Sequence, residues 1–266
     1  MQTSALPSCA RRGPYDDNES RSVVRPMTTL LCEATGGVAT ITLNRPESRN
    51  ALNVAMCEEL REAAERAVAD PALKLVVIRA NGPVFCAGAD LKERQGMSEA
   101  QVRERRMKAF AAYAAIEALP VPAIAVVEGP VVGSGCEIAA ACDFIVATPA
   151  ASFRVPEAIR GTVGATQRLP RILGKRLAKD LLFTGRTLSG EEAERHGLVA
   201  RLVEPGKLEA VLAEIMRTIV EAPAPALRLA KRCVDRGVER DPQGALETEI
   251  AAIEEQLASG AWMGKA

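Results

Sequence analysis

Two short apolar runs open the patterned part of the chain. Leu30–Ala34 and Val38–Leu43, joined by Thr35, Gly36 and Gly37, predict a β-hairpin. Asn53 is placed to cap a helix running to about Ala69, where Asp70 and Pro71 end it. Leu75–Ala80 is unbroken and apolar, as in a strand buried on both faces. A glycine-containing loop over 81–92 follows. Ser98 and Gln101 then form a potential capping box for a helix to Leu119. Pro122–Glu128 reads as the next strand, 129–134 as a loop, and Gly135–Cys142 as a short helix. Short strands are predicted at Phe144–Ala147, Ala151–Arg154 and Val199–Val203. Ser189 caps a helix that stops at His196-Gly197. Helices over about 207–221, 224–238 and 243–258 finish the chain. Strands that alternate with helices imply an α/β core.

Residues 1–26 lack this patterning and are rich in charge, Ser and Pro. They have no signal-like apolar stretch, and Asp16, Asp17 and Glu19 fit poorly with a transit peptide. They read as a disordered tail, or as a mis-called start with Met27 the true one. The expected division is then a core over 27–204 and a helical region over 205–266.

The 266 residues suffice for one sizeable α/β domain. Lys plus Arg (34) balances Asp plus Glu (34), which argues against nucleic acid and anionic membrane as partners. Only 3% of residues are aromatic, too few for base-stacking platforms. The basic run Arg103–Lys108 reads as a solvated helix face. Seven cysteines without CxxC, beside a single histidine, offer no zinc spacing and no metal site. Reduced thiols in a cytoplasmic setting are expected. No run approaches the roughly 20 apolar residues of a membrane span.

Three short segments carry candidate chemistry: FCAGADLKE at 85–93, VVGSGCE at 131–137 and FRVPE at 153–157. Taken alone, Glu137 would compensate a helix dipole from the first turn. Glu157 would be a turn acid after Pro156, with Arg154 or Arg160 as its partner. His196 reads as a helix-end cap, not as a base. No GxSxG elbow is present.

Together the three segments resemble the enoyl-CoA hydratase/isomerase, or crotonase, family from about Leu30 to Glu204. The resemblance implies a spiral of ββα units with a C-terminal helical region, acting on an acyl-CoA thioester. Coenzyme A would come as part of the substrate, with no prosthetic group. Glu137 and Glu157 match the family's two catalytic glutamates, with Glu157 the expected proton donor to Cα and Glu137 the water activator. The small and apolar neighbours of Glu137 suggest a partly dry place, where burial raises a carboxyl pKa. Charge building on the thioester oxygen needs two N–H donors. Ala89 supplies one candidate, and Ser134, at a helix start, the other.

Ser134 stands where the family prefers Gly, so its Cβ would narrow the acyl pocket or demand other dihedrals. The segment after Glu157, Thr162–Leu169, is shorter than the family's IPGAGGTQRL and lacks its proline. For coenzyme A, the resemblance points to the backbone of Ala87, Ala89 and Leu91 and to the segment holding Arg49 and Ala51. Lys92 and Arg49 would meet phosphates, or else be solvated surface charges. Asp90 is expected to brace the loop through backbone N–H groups. FCAGADLKERQGMSEA also resembles methylglutaconyl-CoA hydratases, which implies a branched acyl group. One relative of that subgroup binds AU-rich RNA, a role disfavoured here by charge and composition. A double-bond isomerase is the alternative within the family. A homotrimer or a dimer of trimers is the implied assembly, in line with apolar stripes on the last helices that include Ile250, Ile253 and Leu257.

Overall fold

The computed structural model describes residues 27–260. The expectation for residues 1–26 lies outside them. The hairpin forms as β1 (Leu30–Thr35) and β2 (Val38–Leu43). Next come α1 (Val54–Ala69), β3 (Leu75–Ala80), a single turn α2 (Leu91–Arg94) and the long α3 (Glu99–Glu117). Asn53 caps α1 by accepting the Met56 N–H at 2.9 Å. Both bonds of the Ser98–Gln101 capping box are present at the start of α3. The chain continues through β4 (Ala123–Val127), β5 (Pro130–Val132), α4 (Ser134–Ala140), β6 (Phe144–Ala147) and β7 (Ser152–Arg154). It ends with α5 (Arg168–Thr184), β8 (Thr187–Ser189), α6 (Gly190–Arg195), β9 (Arg201–Leu202), α7 (Leu208–Glu221), α8 (Ala224–Gly237) and α9 (Pro242–Ala258).

Six strands make the main sheet, in the order β1-β2-β3-β4-β6-β9. Only β1 and β2 are antiparallel; the other pairs are parallel. The central strands alternate between two cores, as the two-residue side-chain period dictates. Val76, Ile78, Ala123 and Ala125 face one core, together with α1 and α3. Leu75, Val77, Ile124 and Val126 face the other, which Leu208, Leu212 and Ile215 of α7 close. Helices α8 and α9 pack mainly against each other.

A second sheet, β5-β7-β8, is smaller. β5 occupies part of the predicted 129–134 loop. Three residues are too few for a periodic signal, and Pro130 is tolerated as the first residue of a strand. The predicted strand 199–203 shrinks to Arg201–Leu202. Successive turns of the chain visit both sheets: β4 then β5, β6 then β7. Cys86 follows β3 in the same way, through a parallel bridge to Val131 of β5. The result is the expected spiral of ββα turns.

Candidate active site

The three singled-out segments occupy equivalent places in three consecutive turns of the spiral. Each leaves the small sheet and heads for a helix. Backbone bonds lace them together. Val132 N–H donates to the Cys86 carbonyl at 2.9 Å, and Gly133 N–H donates to the Arg154 carbonyl at 2.8 Å. A Cβ at Gly135 would stand 2.7 Å from the Cys86 carbonyl oxygen, so this approach requires glycine.

Two N–H groups are left over by this lacing. Leu52 and Ala89 form a parallel bridge, in which Leu52 N–H donates to Gly88 O and Asp90 N–H donates to Leu52 O. That pattern turns the Ala89 N–H away from Leu52. Ser134 is the first residue of α4, where an N–H has no intrahelical acceptor. The unusual dihedrals expected at Ser134 fall on Gly133 instead (φ 52°, ψ −109°). The Ser134 side chain is hydrogen-bonded to the phenol of Tyr113, which burial pushes well above its ordinary pKa.

The two glutamates sit in contrasting surroundings. Glu137, only 8% exposed, accepts from Arg168 Nη1 at 2.8 Å. The same guanidinium reaches Glu117 through Nη2 at 2.6 Å and lies over the Tyr113 ring, 5.8 Å from its centroid. Glu137 is buried, as its small and apolar neighbours suggested, and it is also ion-paired, because α5 brings Arg168 against α4. Glu157 makes no pair with Arg154, whose Nε donates to the Gly185 carbonyl. Its Oε2 is buried and has no hydrogen-bond partner among the described residues. Burial pushes the Glu157 carboxyl above its ordinary value, and the charge of Glu137 adds to this. Gly133 makes room for it: a Cβ there would lie 2.4 Å from Glu157 Oε1.

A cavity of about 310 Å³ brings Ala87, Ala89, Leu91, Ser134, Glu137 and Glu157 to one lining. Arg49, Ala51, Asp90 and Lys92 lie outside that lining. The Ala87 N–H is already taken by the Arg49 carbonyl at 3.0 Å. Asp90 accepts from the N–H groups of Lys92 and Glu93 and from Arg45. Burial pushes the Asp90 carboxyl up, but these bonds outweigh it and hold it below its ordinary range. It braces the loop. Arg49 and Lys92 are exposed. Buried Cys86 and Cys136 flank the cavity loops. Burial pushes both thiols up, Cys86 to about 11, so neither offers a thiolate at neutral pH. His196 ends α6 and is exposed. Among the described residues, no cluster of three or more His, Cys, Asp or Glu side chains could hold a metal.

The enoyl-CoA hydratase/isomerase family profile matches residues 33–261. The chain belongs to that family. Among curated relatives, it is 38% identical to a probable mitochondrial enoyl-CoA hydratase 2 of Arabidopsis thaliana, over 85% of this chain and 77% of the relative. It is 35% identical to an enoyl-CoA isomerase/hydratase of Mycosarcoma maydis, over 84% and 86%. Among solved structures, an enoyl-CoA hydratase from Bacillus anthracis superposes with a TM-score of 0.81 at 36% identity, covering 85% of this chain and 90% of that one. The fold is the crotonase fold.

Three cavity-side residues of this family member escaped sequence reasoning. Arg168 sits in a TQRL string whose side-chain direction depends on how α5 packs. Tyr113 is one of two tyrosines in the chain, and that scarcity was the available signal. Arg106 belongs to the basic run Arg103–Lys108, read as solvated, and that reading is corrected. Arg105 is buried, donating to Glu93 and to the Leu52 carbonyl. Arg106 lines the cavity. Among the described residues, no helix is long and apolar enough to cross a membrane.

Proposed function

We propose that this chain is an enoyl-CoA hydratase, adding water across the 2,3 double bond of an enoyl thioester of coenzyme A. The observation that carries this reading is the contrast between two carboxyls on one cavity. Glu137 faces a guanidinium, which suits an anion. Glu157 is buried without a partner at Oε2 and is pushed toward its protonated form. One can accept a proton while the other delivers one.

In the proposed reaction the N–H groups of Ala89 and Ser134 hold the thioester oxygen as negative charge builds on it. Glu137 takes a proton from water as the water oxygen bonds to Cβ. The π pair moves to Cα and takes the proton held by Glu157. The site returns to its starting state when Glu137 gives up its proton and Glu157 regains one. The backbone of Ala87 and Leu91, on the same lining, suits the pantetheine side of the substrate. Arg49 and Lys92, exposed nearby, suit its phosphates. No prosthetic group is needed.

The alternative is double-bond isomerisation, in which a carboxyl moves one proton and no water is added. A panel of 2-enoyl and 3-enoyl thioesters separates the two. Hydration is read as loss of the conjugated chromophore of a 2-enoyl thioester. Isomerisation appears as its gain from a 3-enoyl thioester. Glu137→Gln and Glu157→Gln should each cut hydration by at least about a hundredfold. Near-normal hydration by either variant overturns that residue's role. Gain of the chromophore from the 3-enoyl thioester, with none lost from the 2-enoyl, overturns the hydratase reading.

A further inference from the structure

We infer that Glu117, the last residue of α3, is a positioning residue for the carboxylate of Glu137: it anchors the second arm of Arg168 and shares the charge of that cation. This rests on the reading of Glu137 as the base.

The guanidinium of Arg168 has two anchors among the described residues. Nη1 donates to Glu137 at 2.8 Å and Nη2 donates to Glu117 at 2.6 Å. Its Nε is buried without a hydrogen-bond partner there. The Tyr113 ring supports only the flat face of the group. A planar fork held at both arms keeps one direction, whereas a fork held at one arm can swivel about that bond. Glu117 is thus what fixes the angle at which Arg168 meets Glu137.

Stability does not explain an acid at this place. The final turn of α3 holds Glu117 and no basic residue. That end of a helix is the negative pole, which disfavours an anion. The Glu117 side chain is 57% exposed, so an ion pair there contributes little to folding. Another acid also stands close. Burial pushes the Asp235 carboxyl of α8 up, and the charges of Asp143 and Glu117 add to this. What Glu117 gains in return is Arg168.

The surrounding charges set the direction of the effect. Glu137 faces Arg168 from α5, Glu157 from the next coil, Tyr113 from α3 and its own neighbour Cys136. Burial pushes Tyr113 and Cys136 up, so both stay neutral, and drives Glu157 the same way. Glu117 faces Arg168 and Asp235, with Arg228 and Lys231 lining the cavity beside it. Lys231 is taken by Asp143 and Asp235. On its other side lie Arg106, which donates to the Val163 carbonyl, and Arg171, which is matched with Glu239. One cation is therefore divided between two carboxylates. Removing the charge of Glu117 leaves Arg168 to Glu137 alone and favours the anion there; removing Arg168 does the reverse.

The test is a double-mutant cycle on the full chain, with butenoyl-CoA as substrate and thermal melting to confirm folding. Glu117→Ala should lower kcat at least about fivefold with little change in KM. Added to Arg168→Gln, it should cost nothing more, because Glu117 acts through Arg168. Glu117→Gln keeps an acceptor and loses the charge. It should lose less rate and move the acid limb of kcat to lower pH by at least about 0.3 unit. Arg168→Gln should move that limb to higher pH. Isotope-labelled glutamate carboxyls followed by NMR, with Glu137→Gln giving the assignment, should show the same two displacements without turnover. A normal kcat in Glu117→Ala overturns the inference. So does a loss repeated in full in the Arg168→Gln background, or a Glu137 titration that does not move down in Glu117→Gln. The hydratase reading fails separately, if the parent binds butenoyl-CoA without hydrating it; the NMR displacements then still decide the role of Glu117.

Discussion

The guanidinium of Arg168 donates to Glu137 at 2.8 Å while its other arm holds Glu117. A residue beyond the loop that follows Glu157 thus fixes the carboxylate on α4. Arg168→Gln should lower kcat by at least about tenfold, because a misplaced base loses in-line geometry. KM should change much less, since Arg168 does not line the main cavity. Arg168→Lys, which keeps the charge but not the fork, should recover part of the loss. Steady-state kinetics on folded variants decides this. An unchanged kcat in Arg168→Gln would leave the ion pair a stability feature only.

Glu157 makes stability depend on pH. Its folded pKa lies above the ordinary value of 4.5. The folded state therefore binds its proton more tightly than the unfolded chain does. The associated stability is complete below the ordinary pKa and is lost as pH rises through the folded one. Glu157→Gln removes the titrating group. Its melting temperature should exceed that of the parent at pH 8 and match it at pH 4. A larger gain at pH 4 than at pH 8 contradicts the environment described for this carboxyl.

Gly133 tests how closely Glu157 is seated. An added Cβ would stand 2.4 Å from Glu157 Oε1, at a backbone angle of φ 52°. Gly133→Ala should displace the carboxyl and cut hydration by about a hundredfold or more. Gly164→Ala, whose Cβ would meet Glu157 Cγ at 3.0 Å, should be milder. The reverse order of severity in enoyl-CoA assays would show that the carboxyl approaches the substrate from the Gly164 side.

At Ser134 the backbone and the hydroxyl are separable. Ser134→Gly keeps the N–H and should keep activity, with a wider range of accepted acyl chains. Ser134→Pro removes the donor and should abolish turnover. A folded Ser134→Pro enzyme with normal rates would place the thioester oxygen elsewhere. Loss of all activity in folded Ser134→Gly would assign the chemistry to the hydroxyl.

The last two helices leave apolar side chains in the open: Val234 on α8 with Val238 at its C-terminal cap, and Leu246, Ile250, Ile253 and Leu257 on α9. A second copy of the chain would cover them, and a threefold assembly is proposed. Light scattering at micromolar concentration should give the mass of a trimer or of two trimers. A monomer mass ends the proposal.

Much of the fold could be read from local pattern. Asn53, the Ser98–Gln101 box and Ser189 announce helix starts because capping is chemistry between near neighbours. Leu75–Ala80 announces a buried strand because both of its faces are apolar. β5 escaped detection because its three residues become a strand only through bonds to Cys86 and β7, distant partners the sequence does not display. The site divides along the same line. The glycine turns and the glutamates are local signals, whereas the hold of Arg168 on Glu137 spans 31 residues and depends on how α5 docks. The inward turn of Arg106 likewise follows from α3 packing, which a run of basic residues conceals.

The stacking of FCAGAD, VVGSG and FRVPE on three successive coils has a consequence for how such a catalyst can be altered. In the proposed mechanism each coil contributes its own instrument: one N–H from the first, a second N–H and a base from the next, an acid from the third. The backbone lacing keeps their spacing constant. The segment between Glu157 and Arg168 lies outside that lacing and borders the cavity through Thr162, Val163, Gly164 and Ala165. It is the natural place for inheritance, or an engineer, to retune what the enzyme accepts without rewriting what it does.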